Sequence, residues 1–486
     1  MTRMILIHRE ATAAILLIAA GTLLGDNVNA FTPSSRHRAP RVTSPSLSAV
    51  AVPGIKSVVS PAPTIVEDPV EEPVVFDTSG IAMSGLNGKA LYIQASDYPT
   101  QGEVRAAIPD ECFDVDTSKS LGYLSVSIIG TALCTAVGIQ ALSFVPTDHM
   151  LTNPLTLAFW SFYATVTGTV AMGNWVLAHE CGHNAFSKDK RIQDTVGFVL
   201  HSIFLVPYYS WQRSHAVHHR YTNHLELGET HVPEATDESD SMSLGKRKNI
   251  LDFLGEETGM VAWGAIQMFM HLIVGWPAYL AIGATGGPAR GVTNHYWPDP
   301  LTEPDEKKFE LFPGKWKEKV LKSDVGIAAV VGALVAWAAC DGIGEVNALY
   351  TGPLIVVNAW LVLYTWLQHT DVDVPHFSVD DHTFVRGALH SIDRPYDKLD
   401  PWGFIDFLHH KIGTTHVAHH FDSSIPHYHA EKATNAIKEK YPNLYLNDPT
   451  PIPEALWRVC KGCAATTKRG DRYVFDNSGL EKYLEI

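Results

Sequence analysis

Charge is scarce in this chain: Asp, Glu, Lys and Arg make up 18% of its 486 residues, below the roughly 25% of average soluble proteins. Apolar residues, 46% of the total, instead gather in runs long enough to span a membrane. Positive charge is the scarcer sign, with 37 Lys and Arg against 52 Asp and Glu and a net charge of −15. A nucleic-acid partner needs a basic stripe, and none is present. Much of the acidity lies in apparent loops such as Asp237-Glu-Ser-Asp240 and Glu303-Pro-Asp-Glu306, which read as solvated faces. The six cysteines are scattered and two sit inside apolar runs, which excludes a disulfide framework. Cys460-Lys-Gly-Cys463 has no second CxxC to complete a zinc site and reads as two ordinary thiols.

Histidine is abundant, 24 residues, and much of it is clustered as His179-Glu-Cys-Gly-His183, His215-Ala-Val-His218-His219 and His416-Val-Ala-His419-His420. Positions i, i+3 and i+4 share one face of a helix, so each cluster can aim its imidazoles at one point. Neutral imidazole is the commonest protein ligand for metals and suits Zn, Cu, Fe and Ni. A zinc site closes with four ligands. Eight clustered histidines exceed that and point to two metal ions of higher coordination number, read here as a non-haem diiron centre. A lone histidine is more often a hydrogen-bonded structural residue. Two HxxHH runs after an HxxxH, each near the end of an apolar segment, are not explained that way.

Along the chain, residues 1–30 read as a signal peptide: Arg3, His8 and Arg9 precede the apolar run Ala11 to Leu24, and Val28 and Ala30 follow. From Asn27 to Val66 there is no Asp or Glu, while Ser, Pro, Ala and Arg abound, so residues 31–66 read as a plastid transit peptide. A signal peptide, then Phe31, then a transit peptide is similar to the two-part presequence of algae with secondary plastids; the alternative is an endoplasmic reticulum signal followed by a disordered tail. Residues 67–118, opening on Glu67-Asp-Pro-Val-Glu-Glu72, read as a loosely folded polar lead-in.

Spanning a bilayer takes about 20 apolar residues. Leu121 to Val145 and Leu155 to Ala178 meet that length, with a turn at Pro146-Thr-Asp-His149, and this hairpin ends at His179. His201 to Tyr209 is too short to span and reads as a re-entrant or surface piece. Gly259 to Thr285 carries His271, Pro277 and several Gly; Val325 to Cys340, short for a span, and Leu349 to Leu367 follow. All three clusters must meet on one side, so an even number of crossings separates the second from the third. The last two runs therefore form a second hairpin, leaving Gly259 to Thr285 as an interfacial or re-entrant element. That hairpin emerges at Trp366-Leu-Gln-His369, where His369 can serve as a ninth ligand. The expected fold is an all-α integral membrane protein: two transmembrane hairpins carry a histidine-rich diiron cap on one membrane face, with residues 464–486 as a C-terminal tail.

At these residues the chain resembles the membrane fatty acid desaturases, specifically the methyl-end acyl-lipid group with its Δ12 (ω-6) and ω-3 enzymes. The matching stretches are Trp175-Val-Leu-Ala-His-Glu-Cys-Gly-His-Asn-Ala-Phe186, Val206-Pro-Tyr-Tyr-Ser-Trp-Gln-Arg-Ser-His215, Leu363-Tyr-Thr-Trp-Leu-Gln-His369, and Thr415-His-Val-Ala-His-His420 with Ile425-Pro-His-Tyr428. The resemblance implies a membrane desaturase domain over residues 119–463. It also implies a diiron enzyme that uses O2 to place a cis double bond in a lipid-linked acyl chain. Electrons would come from outside, from ferredoxin in a plastid or cytochrome b5 at the endoplasmic reticulum. His369 matches the position where the wider superfamily places an extra ligand. No His-Pro-Gly-Gly haem motif occurs, so no fused cytochrome b5 domain is expected. Two departures bear on regiochemistry: Ala216-Val217 stands where many relatives carry Arg-Arg or Arg-Thr, and Phe421-Asp-Ser-Ser424 stands where they carry Leu-Phe-Ser-Thr.

Hydrogens on an unactivated CH2–CH2 pair are not acidic, so a general base cannot remove them at neutral pH. They need a strong oxidant in a water-poor site, with an apolar channel to present the acyl chain. Glu180 is positioned to accept a proton or to orient a ligand. Two rival classes stand beside this reading. His179-Glu180-Cys-Gly-His183 also satisfies the HExxH pattern of a zinc protease, which leaves five clustered histidines unused. A histidine-lined ion path conflicts with clusters that fall outside the apolar runs. Trp366 to Thr370 and Thr415 to His419 look like Δ12 enzymes, whereas a plastid address on this branch looks like ω-3. Residues near the metals report the active site more directly, so the reading is Δ12, with ω-3 as the alternative.

Overall fold

The computed structural model of the protein describes residues 84–475 except 149, 237–240 and 397; the presequence reading of residues 1–66 lies outside them. The chain is mostly helical. Its main helices are α1 (Thr117–Ala141), α2 (Pro154–Gly182), α3 (Lys190–Ile203), α4 (Tyr208–Arg220), α5 (Glu256–Ile282), α6 (Trp316–Asp341), α7 (Ile343–His369), α8 (His416–Phe421), α9 (His427–Lys440) and α10 (Ile452–Gly462). Local chemistry sets the boundaries. The Asp116 side chain accepts from the first backbone N–H groups of α1, and Asn153 does the same for α2, with Pro154 at the first helical position, where its missing N–H costs nothing.

Among the described residues, five helices (α1, α2, α5, α6 and α7) are long and apolar enough to cross a membrane. The most apolar stretches of α2 and α7 are 44% and 39% buried, against 17% and 11% for α1 and α6. The first two are therefore the inner pair, and the outer two face lipid, where Leu133, Val137, Val325 and Val335 stand exposed at no cost because lipid tails are as apolar as they are. The inner pair approach closely at Gly168, where a Cβ would sit 2.6 Å from the Pro353 carbonyl oxygen. In each hairpin the first helix leads away from the histidines and the second returns, so His183 and His369 emerge on the same side.

Length alone would let α5 make a fifth crossing; its contacts place it elsewhere. Near its start, Gly264 admits the Trp457 ring of α10, and near its end the Tyr279 hydroxyl donates to Ser214 Oγ of α4 at 2.9 Å. Between these, His271 stacks on Trp366 at the end of α7, with ring centroids 3.7 Å apart. A helix that touches the cap at both ends lies along it, as the parity of the spans requires.

Several expectations are corrected. Val325 to Cys340 is not short: α6 begins at Trp316, and in its charged first turns the Lys319 and Lys322 ammonium groups sit over the Tyr209 ring, a cation–π contact that accommodates their charge. His201 to Tyr209 is not one piece, since α3 ends, Leu205 turns at φ 56°, and α4 starts. The lead-in is not loose where it is described: Leu86, Ala90, Ile93, Val104, Ile108 and Cys112 pack into one cluster with Val417, Phe421 and Ile437. Part of the tail is regular structure. β2 (Ala465–Arg469) and β3 (Arg472–Phe475) form an antiparallel hairpin, and β2 pairs in parallel with β1 (Glu234–Ala235).

A buried ion network ties the cap to the end of α7. Asp371 Oδ2 accepts from Arg394 (2.6 Å) and Arg458 (2.7 Å), and Asp448 accepts from the same two arginines. Arg394 Nε also donates to the Leu367 carbonyl at 2.7 Å, two residues before His369. The hairpin topology carries an expectation: epitope tags inserted after Leu151 and after Glu306 should show opposite protease sensitivity in sealed vesicles. Equal sensitivity would mean that a span has been miscounted.

Candidate metal centre

α2 stops where the first cluster needs it to. His183 caps the helix and Asn184 adopts φ 63°, a left-handed conformation that Asn tolerates better than most residues. The second cluster closes α4, and the third forms α8, whose Val417 N–H donates to the buried Asp393 carboxylate at 2.9 Å.

The nine predicted ligands meet in two groups. Ligand nitrogens of His179, His183, His215, His219 and His419 lie within 4.8 Å of one another, as do those of His218, His369 and His420. His416 joins the second group, with its Nε2 3.0 Å from that of His369. The expectation that each cluster aims at one point therefore fails for the second and third clusters. At about 100° per residue, positions i and i+4 point about 40° apart but i+3 and i+4 about 100° apart. Each i, i+4 pair (179/183, 215/219, 416/420) stays in one group, and the remaining histidine, His218 or His419, crosses to the other.

The site fits metal. Nε2 atoms face each other at 3.2 Å for His179 and His183, 3.2 Å for His215 and His219, and 3.1 Å for His218 and His369. Two cis nitrogens at about 2.1 Å from one ion sit about 3.0 Å apart. The Nε2 atoms of His419 and His420 are buried with no hydrogen-bond partner, a costly arrangement unless something else occupies the space. Burial, and after it neighbouring imidazoles, pushes the His183, His215, His219, His416 and His420 pKa values well below the ordinary value; burial and His179 push that of His218 down to about 3. Neutral rings are the ligating form.

Sequence reasoning missed the residues that orient these rings. The Thr222 hydroxyl donates to the His218 carbonyl (2.8 Å) and so accepts from His420 Nδ1 (3.0 Å), leaving Nε2 free to ligate. Thr230 Oγ1 lies 3.0 Å from His218 Nδ1. Thr222 follows His218 by four residues, so the same helical spacing could have found it; Thr230 left no such signal. Trp211 stacks on His215 with centroids 4.6 Å apart. Glu180 sits behind His179, with Oε1 3.7 Å from Nδ1, and accepts from the His427 backbone N–H at 2.9 Å. It is on the side away from the converging Nε2 atoms, where it cannot activate a water on a metal between His179 and His183, so the protease geometry is not met.

An apolar cavity runs from these histidines between α2, α4, α5 and α7. Trp175, Trp211, Trp276, Leu361 and Val362 line it, and His179, His215, His218 and His416 form part of its wall. Fold and site together define an integral membrane protein with a histidine cluster able to bind metal beside an acyl-compatible cavity. The family model for fatty acid desaturases matches residues 155–449. Over 365 residues the chain is 36% identical to the omega-6 fatty acid desaturase, endoplasmic reticulum, of Brassica juncea, covering 75% of this chain and 86% of that protein. It is 36% identical over 362 residues to the Delta(12)-fatty-acid desaturase of Arabidopsis thaliana (74% and 86% covered) and 35% identical over 381 residues to the Delta(12) fatty acid desaturase of Mortierella alpina (77% and 89%). The chain belongs to the fatty acid desaturase family and is an oxidoreductase.

Proposed function

We propose that this protein is a Δ12 acyl-lipid desaturase that turns lipid-linked oleoyl chains into linoleoyl chains, with two irons held by the nine histidines. The observation that carries the reading is the convergence of both histidine groups on the wall of one apolar cavity. The names of the plant and fungal relatives support the Δ12 position. When bound, such a pair of irons supplies the oxidising power, drawn from O2 and external electrons, that an unactivated CH2–CH2 pair requires.

The chain's own residues do the rest. His179, His183, His215, His219 and His419 would hold one ion, and His218, His369, His416 and His420 the other. Thr222 and Thr230 set the tautomers of His420 and His218. Trp175, Trp211 and Trp276 exclude water that would quench the oxidant, and the cavity between α2 and α7 fixes how far the acyl chain enters. Glu180 is a positioning residue for His179 and the segment at His427. Expressed in yeast, which makes oleate but little linoleate, with ferredoxin and its reductase supplied, the protein should produce linoleate without feeding. Product only after linoleate feeding would reassign it as an ω-3 enzyme.

The acid-free stretch 27–66 supports a plastid membrane and ferredoxin as donor, whereas the Brassica relative's name supports the endoplasmic reticulum and cytochrome b5. We favour the plastid. A fusion of residues 1–66 to a fluorescent protein should enter the plastid of an alga with secondary plastids, and Phe31→Ala should hold it outside. A reticular pattern for the unmutated fusion would select the alternative.

A further inference from the structure

The segment between α7 and the third cluster carries apolar side chains that the catalytic reading does not use. Leu399, Trp402, Phe404 and Phe407 are 45%, 81%, 63% and 53% exposed, clustered around the short helix Phe404–Leu408. Such a patch on an aqueous loop is a liability, and its position relative to the spanning helices gives it a different setting. His409 Nε2 lies 2.7 Å from the Thr169 carbonyl oxygen of α2, and its ring centroid lies 5.1 Å from that of Trp360 in α7. His410 Nε2 lies 3.1 Å from Ser127 Oγ of α1. Gly173 of α2 must lack a Cβ, which would sit 2.4 Å from the Leu408 carbonyl oxygen.

Three helices thus gauge the depth of one segment. The hydrocarbon core takes about 20 helical residues. Counted from exposed apolar residues at the far ends (Phe144, Leu155 and Ile343), that length reaches Leu124 in α1, Trp175 in α2 and Leu363 in α7. Ser127, Thr169 and Trp360 fall inside those limits by about 4 to 9 Å at 1.5 Å per residue. The acidic groups of the segment are turned inward or satisfied within the protein. Asp400, 6% exposed, accepts from the backbone N–H groups of Phe404 and Ile405 at 2.8 and 2.5 Å, and Asp406 accepts from the Thr414 hydroxyl at 2.8 Å. Lys411, just beyond, pairs with Glu431 of α9 at 2.6 Å.

We infer that residues 399–410 are a re-entrant segment resting in the acyl layer of the membrane leaflet nearest the cap, with Trp402, Phe404 and Phe407 against lipid chains. The same segment delivers His409 Nδ1 to the Tyr364 hydroxyl at 2.7 Å, and Tyr364 and Ile412 line the acyl cavity. One wall of that cavity is therefore anchored by lipid contact.

The test uses the full chain in lipid nanodiscs, with the exposed Cys340 replaced (Cys340→Ser) and a nitroxide attached at Trp402→Cys or, separately, Phe407→Cys. The Cys340→Ser parent reports background labelling. Collisions with O2, which concentrates in lipid, should exceed those with a water-soluble nickel chelate severalfold, as at Phe162→Cys on the lipid face of α2. Glu306→Cys on the cap should show the reverse. Nickel accessibility at both loop positions equal to that at Glu306→Cys would overturn the inference. No enzymatic activity enters the readout, so this result and the test of the proposed reaction stand independently.

Discussion

His419→Ala and His218→Ala, made singly, are each expected to take desaturation below detection. Loss of a residue that merely orients a metal ligand typically costs 10- to 100-fold, and these two present their own rings, so a loss of more than about 100-fold is expected. The two variants should differ in what they retain. His419 belongs with the group of five and His218 with the group around His369, so metal analysis of the purified proteins should show each depleted at a different site, with distinct spectra for the ion that remains. His409→Ala should be milder, because His409 lies in neither group. Substantial activity in His419→Ala would remove the ligand assignment.

Asp371→Ala is expected to be the most destabilising single change in the cap. Asp371 and Arg394 have side chains 0% exposed and Arg458 7%, and removing the carboxylate leaves two arginines to share Asp448. Breaking a buried pair from one side costs about 3–5 kcal/mol, a large part of the stability of a typical domain. Thermal unfolding in detergent should show a clear drop in Tm, with Asp371→Asn intermediate. Lys248→Ala, which removes only the surface pair with Asp252, should leave Tm nearly unchanged. Because Arg394 also holds the Leu367 carbonyl, Asp371→Ala should also loosen metal at His369. An unchanged Tm would show that the network contributes specificity rather than stability.

That histidines would gather into a site able to bind metal was legible before any coordinates, because residue type and helical spacing are local properties of the chain. HxxxH puts both imidazoles on one side of a helix whatever surrounds it, as the i, i+4 spacing within the two HxxHH runs also does, and hydropathy with parity leaves Gly259 to Thr285 as an interfacial or re-entrant element between two hairpins. The assignment of His218 and His419 to opposite groups from their neighbours follows from the same helical geometry. It became decidable only once α4 and α8 were set against α2 and α7, because a 100° difference in direction means nothing until there are two places to point. Other features depended on partners distant in sequence. The lead-in is polar and short of regular structure by composition, yet Leu86 and Ile93 find their core in Val417 and Phe421, more than three hundred residues away. The tail's strands exist because β1 and β3 offer β2 two edges. The segment around Trp402 and Phe407 is too short to span and carries no membrane signal of its own. Its depth is set by the contacts of Leu408, His409 and His410 with α1, α2 and α7, which only the tertiary structure contains.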